Sequence, residues 1–223
     1  MTPLEQLEGF PTYLANNWDT VLELAIAHAI VVGVSIVIAS VVGVGLGCLT
    51  YRNQPARDAV LRVTGLFLTI PSLALYALLI TIPGMGFGAK PVIVALTMYA
   101  LLPIVRNTVT GLLGVDPAIV ESALGMGLSR GQRLFRIELP LAWPVVLTGV
   151  RVSTLIIIGI AALGAILNGP GLGELIFDGL GRFGTPFALP IALSGFLGVV
   201  ALGIVFDVFF NVVTRLTTSR GVR

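Results

Sequence analysis

Two stretches of this chain stay free of charge for longer than a lipid bilayer is thick, Leu24 to Tyr51 and Val63 to Ala89. Three more are broken once each: Pro91 to Leu113 by Arg106, Leu141 to Leu167 by Arg151, and Leu189 to Val213 by Asp207. A helix crosses the hydrocarbon with about 20 apolar residues. Lipid offers no partner to a backbone N–H or C=O, so such runs must satisfy their own backbone as helices. The reading is an all-α membrane protein with five transmembrane helices, at about 24–51, 60–82, 91–113, 139–167 and 189–215. Only 11% of residues are charged, against about 25% in a soluble domain.

Arginine placement orients the helices, because cytosolic loops collect positive charge. Arg52, Arg57 and Arg62 follow the first run, Arg130, Arg133 and Arg136 lie between the third and fourth, and Arg215, Arg220 and Arg223 follow the fifth. In a five-helix chain these fall on one side. The other side receives Glu5, Glu8, Asp19, Glu23, Lys90, Glu174, Asp178 and Arg182. The expected topology has the N-terminus outside, and the C-terminus and residues 116–140 in the cytosol. Residues 1–20 are acidic and lack Lys and Arg, which does not match the charged start of a signal peptide. They read as an extracytoplasmic lead segment, with an interfacial helix around Trp18 as the alternative; 218–223 is a cytosolic tail.

The longest polar interruption is Asp116 to Pro140, DPAIVESALGMGLSRGQRLFRIELP. Asp116 before Pro117 reads as a helix start, an N-cap followed by a residue with no N–H to satisfy. Gly125 and Gly127 suit the left-handed end of that helix. Ser129 with Gln132 reads as a capping box that opens a second helix. The stretch is thus two short capped helices joined by a glycine turn.

Its residues carry a resemblance. Glu121, Ser122 and Ala123, then Gly127 after three residues, then Ile137, Glu138, Leu139 and Pro140 after nine more, match the EAA loop of ABC importer permeases. That pattern is E-A-A, three residues, G, nine residues, I-x-L-P, and Ser122 for the first alanine is the one departure. From about residue 20 to 217 the chain resembles the five-helix permeases of type I importers, and in LTIPSLALYALL, ALLPIVRNT and GVDPAIVESALGMG it is similar to their osmoprotectant group. The resemblance implies a type-1 transmembrane domain over 21–217 with a cytosolic coupling-helix pair. It implies a second permease, homo- or heterodimeric, sharing a pathway along the dimer axis, together with ABC ATPase subunits and an external substrate-binding protein. ATP and magnesium then belong to the ATPase, with no cofactor and no catalysis on this chain. Glu121, Ser122, Ala123, Gly127, Ile137, Leu139 and Pro140 become the ATPase-coupling residues: Glu121 faces the ATPase, Gly127 makes the turn and Pro140 starts the fourth helix. Location in a bacterial cytoplasmic membrane and transport of glycine betaine, choline or carnitine follow from the same likeness. A permease for another small polar solute such as an amino acid, or a secondary carrier, is the alternative.

Single residues are less telling. Pro71 with Ser72 and Tyr76 reads as a kink in the second helix that lines the pathway, or as a plain bend. Asn107, near the inner end of the third helix beside Arg106, is expected to line the pathway as well. Arg151 is either paired with Asp207 inside the membrane or a residue reaching back to its surface. Gly43, Gly45 and Gly47 read as helix contacts, His28 as a hydrogen-bonded packing residue and Cys48 as a small packing residue. Asn168 to Gly184 reads as a turn-rich outer segment rather than a helix. Its glycines have no following Gly-Lys-Ser/Thr, so no phosphate loop is expected. One histidine and one cysteine give no metal cluster, and the juxtamembrane arginines give no nucleic-acid surface.

Overall fold

A computed structural model describes residues 9–218; the expectations placed on Glu5, Glu8, Arg220 and Arg223 lie outside them. Every element among the described residues is helical: α1 Phe10–Asn16, α2 Trp18–Thr50, α3 Gln54–Thr69, α4 Ser72–Ile80, α5 Ala89–Leu113, α6 Pro117–Gly125, α7 Arg130–Arg133, a π-turn Leu134–Glu138, α8 Leu139–Ala162, a 3-10 turn Leu163–Leu167, α9 Gly173–Gly181 and α10 Ala188–Thr217. Four helical stretches are long and apolar enough to cross a membrane: Trp18–Thr50, Ala89–Leu113, Arg130–Leu167 and Ala188–Thr217. Counting α3 and α4 as one broken span gives the fifth.

Three expectations change. The helix expected over 60–82 is two helices, because Pro71 adopts an extended backbone (φ −58°, ψ 135°) and caps α4 instead of continuing α3. A proline also disfavours helical geometry in the residue before it. The lead segment holds the seven-residue α1, with Pro11 in its first turn, and α2 begins as early as Trp18. Residues 168–184, expected as turns, contain α9. Gly173 and Gly179 are helical there because they let helices touch: a Cβ on Gly173 would lie 1.9 Å from the Ala162 carbonyl oxygen, and one on Gly179 would lie 2.5 Å from the Ala192 nitrogen.

Cα packing divides the chain into two units. One comprises residues up to 35, 70–97 and 155–206. Its core joins Val21, Leu172, Leu175 and Ile191, with Tyr13 and Leu14 of α1 packed against it. Within it the His28 ring donates from Nε2 to the Ile158 carbonyl at 3.1 Å, as its packing role requires. Tyr76 is buried and its hydroxyl donates to the Ile160 carbonyl at 3.2 Å.

The second unit comprises 36–69, 98–154 and residues from 207 onward. Its core is Tyr51, Val105, Val109, Leu112, Ala142 and Val146. Gly43 and Gly47 bring α2 against α5: a Cβ would stand 2.8 Å from Ile104 or 2.6 Å from Thr108. Gly45 faces open space and makes no such contact. Gly149 lets α8 approach α5 at Pro103 and Asn107 in the same way.

Candidate functional site

The 116–140 stretch folds from its own local chemistry. Asp116 caps α6 by accepting from the Ala118 N–H at 2.8 Å, and Pro117 fills the first turn. α6 ends in the turn its glycine permits: Gly127 has φ +79° and donates to the Leu124 carbonyl at 2.9 Å. The left-handed region costs a residue with a Cβ about 1–2 kcal/mol. The capping box is present, with Gln132 N–H on the Ser129 hydroxyl and Ser129 N–H on the Gln132 side chain.

The second helix departs from expectation. It does not stop before a separate fourth helix at Pro140 but runs through the π-turn into α8. Proline has no N–H, and its ring collides with the carbonyl four residues back, here Arg136. The widened turn relieves this: Leu139 N–H reaches Leu134, five residues back.

That turn builds a cluster. In an ordinary helix residues five apart diverge; here Arg133 and Glu138 meet, Nε to Oε1 at 2.6 Å, with both side chains buried. Arg52 donates to the same oxygen at 2.6 Å and the Tyr51 hydroxyl donates to Oε2 at 2.6 Å. Glu138 is 1% exposed, and burying a carboxylate is costly unless donors surround it. Burial first, then the bond and charge of Glu138, push the Tyr51 hydroxyl up to about 12, with Arg52 opposing. The cluster fastens the stretch just past α2 to the base of α7. Sequence reasoning missed all four residues as a group. Glu138 is the free position of I-x-L-P, and its partners lie five and about 86 residues away; the signal was an acid placed between apolar residues beside a proline.

Of the residues singled out in sequence, Glu121, Ser122 and Gly127 are exposed and Ala123 is fully buried. Ser122 turns its hydroxyl back onto the Ala118 carbonyl at 2.8 Å. Ile137 and Leu139 are half-buried and Pro140 is exposed. Leu124, Met126 and Phe135 stand out with them, apolar and exposed on an otherwise polar element, Met126 at 70%. The geometry presents a capped knob that exposes an acid, Glu121, beside apolar Leu124 and Met126. Of the expected pathway residues, Pro71, Ser72 and Tyr76 belong to one unit and Asn107 to the other. Tyr76 is core, and Asn107 donates to the Pro103 carbonyl at 2.8 Å. Arg151 does pair with Asp207, Nη2 to Oδ1 at 2.6 Å.

Comparison with known proteins fits this geometry. Residues 35–219 match the model of the family described as binding-protein-dependent transport system inner membrane component. The glycine betaine/carnitine/choline transport system permease protein OpuCB of Bacillus subtilis is 34% identical over 212 residues, 95% of each chain. The osmoprotectant import permease protein OsmW of Salmonella typhimurium is 35% identical over 95% of this chain and 98% of its own. Among solved structures, a chain of the methionine ABC transporter MetNI shares the fold with a TM-score of 0.79 and 21% identity, over 89% of this chain and 96% of that one. The chain therefore belongs to the binding-protein-dependent transport system inner membrane components, with the fold of a type I ABC importer permease.

Proposed function

We propose that this chain is the membrane-spanning permease subunit of an ATP-driven importer for compatible solutes bearing a quaternary ammonium, such as glycine betaine, carnitine or choline. The observation that carries the reading is the end-to-end match, at 34–35% identity, to permeases named for those solutes. The chain pairs with a second permease and receives solute from an external binding protein. Glu121 and the exposed tip at Leu124 and Met126 seat in a groove on an ABC ATPase. That subunit holds ATP and magnesium; this chain performs no chemistry. Closure of the ATPases pushes the knob, and the π-turn and Glu138 cluster pass the push to α8 and the end of α2. The arginine distribution supports an inward-facing knob and C-terminus and an outer N-terminus in the cytoplasmic membrane.

Reconstitution of the full complex in liposomes tests this. Labelled betaine, carnitine or choline is expected to accumulate with ATP, and Glu121→Arg is expected to abolish both accumulation and ATPase association. Transport of none of the three overturns the solute class; normal uptake by the variant overturns the docking role.

A further inference from the structure

Arg151 and Asp207 form an ion pair where a membrane protein can least accommodate one. Trp143 of α8 donates to the Thr217 hydroxyl of α10 at 3.1 Å, an aromatic anchor of the kind that marks the bilayer boundary. Arg151 lies eight residues beyond Trp143, roughly 12 Å along the helix, and Asp207 ten residues from Thr217, roughly 15 Å. Both therefore sit near the middle of the hydrocarbon, beyond the reach of a side chain bending to the surface. The guanidinium turns sideways instead. Its Nε and Nη2 meet Asp207 Oδ1 at 2.7 and 2.6 Å, Nη1 donates to Asn211 Oδ1 at 2.8 Å, and the Asn211 amide donates to Asp207 Oδ2 at 3.2 Å.

The group is held but not enclosed. The side chains of Arg151 and Asp207 are 37% and 32% exposed. Three contacts leave two of the five guanidinium N–H groups without a protein acceptor among the described residues. Lipid has no acceptor to give, and charged groups at this depth face water or polar partners. We infer that Arg151, Asp207 and Asn211 line the water-filled translocation pathway and form a station for a small zwitterion. The free N–H groups of Arg151 receive its carboxylate, a geometry suited to a paired hydrogen bond. Asp207 faces its ammonium, which, being quaternary, is attracted by charge alone. The inference rests on the solute class proposed above. It also separates the members of that class, because betaine carries a carboxylate and choline does not.

The test is uptake by the reconstituted complex at saturating betaine or choline. Arg151→Gln is expected to lower the ratio of betaine to choline uptake by roughly ten-fold, the scale of one hydrogen bond to a charged group. A folding defect lowers both rates and leaves the ratio alone. The exchange Arg151→Asp with Asp207→Arg keeps an ion pair, so a purely structural role predicts that the wild-type ratio returns; the station predicts that it does not. Independently, Thr148→Cys in a Cys48→Ala background places a thiol at an exposed site one turn from Arg151. It should react with a charged, water-requiring methanethiosulfonate reagent, and betaine should slow the reaction. An unchanged ratio in Arg151→Gln, restoration by the exchange, or an inert thiol in the Thr148→Cys variant overturns the inference. Wild-type uptake of neither solute instead removes the proposed function, and with it the zwitterion as ligand, whereas labelling still reports a wet face.

Discussion

Glu138 supports the sharpest quantitative prediction. Replacing it with Gln keeps the shape and removes the charge. Arg52 is half in solvent and can turn away, but the Arg133 side chain is 3% exposed and has nowhere to go. Breaking a buried pair in this way costs about 3–5 kcal/mol, a large share of the roughly 5–15 kcal/mol that holds a typical domain together. At about 2–4 °C per kcal/mol for a chain of this size, the thermal midpoint of the purified complex should fall by roughly 6–20 °C. Tyr51→Phe removes two hydrogen bonds, the one donated to Glu138 and the one accepted from Arg52 Nε, and should cost at least about 1.5–3 kcal/mol. Arg52→Gln should cost less than Glu138→Gln, since Arg52 is half in solvent and Arg133 and Tyr51 still hold the carboxylate. The decisive variant replaces both buried charges, Arg133→Met with Glu138→Leu, because removing a whole buried pair is often neutral. It should be more stable than Glu138→Gln alone, by differential scanning fluorimetry of the complex. A midpoint within about 2 °C of wild type for Glu138→Gln, or a double variant that loses the sum of the two single losses, refutes the reasoning.

Other predictions read different parts of the chain. Gly173→Ala should prevent a stable complex from forming, since its Cβ would collide with the Ala162 carbonyl, whereas Gly45→Ala, which meets nothing within 4 Å, should be silent in expression and thermal midpoint. Gly127→Ala should cost about 1–2 kcal/mol through its positive φ, and Gly127→Asn less, by the same melting assay. Tyr51 should titrate at about 12, above the ordinary 10. A group raised on folding stabilises fully below its unfolded value and loses that contribution as pH rises through the folded one. The window is therefore about 10 to 12, read from phenolate absorbance with Tyr51→Phe as the control.

Much of this was legible because lipid is a simple solvent. The long apolar runs had to be helices, and four of the five spans sit where those runs are. Local capping was equally readable: Asp116, Ser129 with Gln132, and Gly127 each act within a few residues of themselves. What escaped depends on neighbours distant in sequence. Gly173 looks like a turn residue, but its purpose is to let Ala162 approach, and a sequence does not separate glycines needed for φ from glycines needed for closeness. Pro71 promised a kink and gave a break, because residues beyond it set whether the helix resumes in line. Glu138 was invisible as a partner of Arg133 since helical spacing forbids five-residue pairs, and only the π-turn before Pro140 permits one.

The central claim is that the α6–α7 knob faces the cytosol and seats on a motor subunit. Met126→Cys in a Cys48→Ala background puts a thiol at its exposed tip. In inside-out vesicles holding the assembled complex, the thiol should crosslink to the ATPase and be shielded from an impermeant maleimide. Once the ATPase is stripped away, it should label freely. Labelling from the outside of intact cells, or no crosslink in a complex that still transports, contradicts the claim.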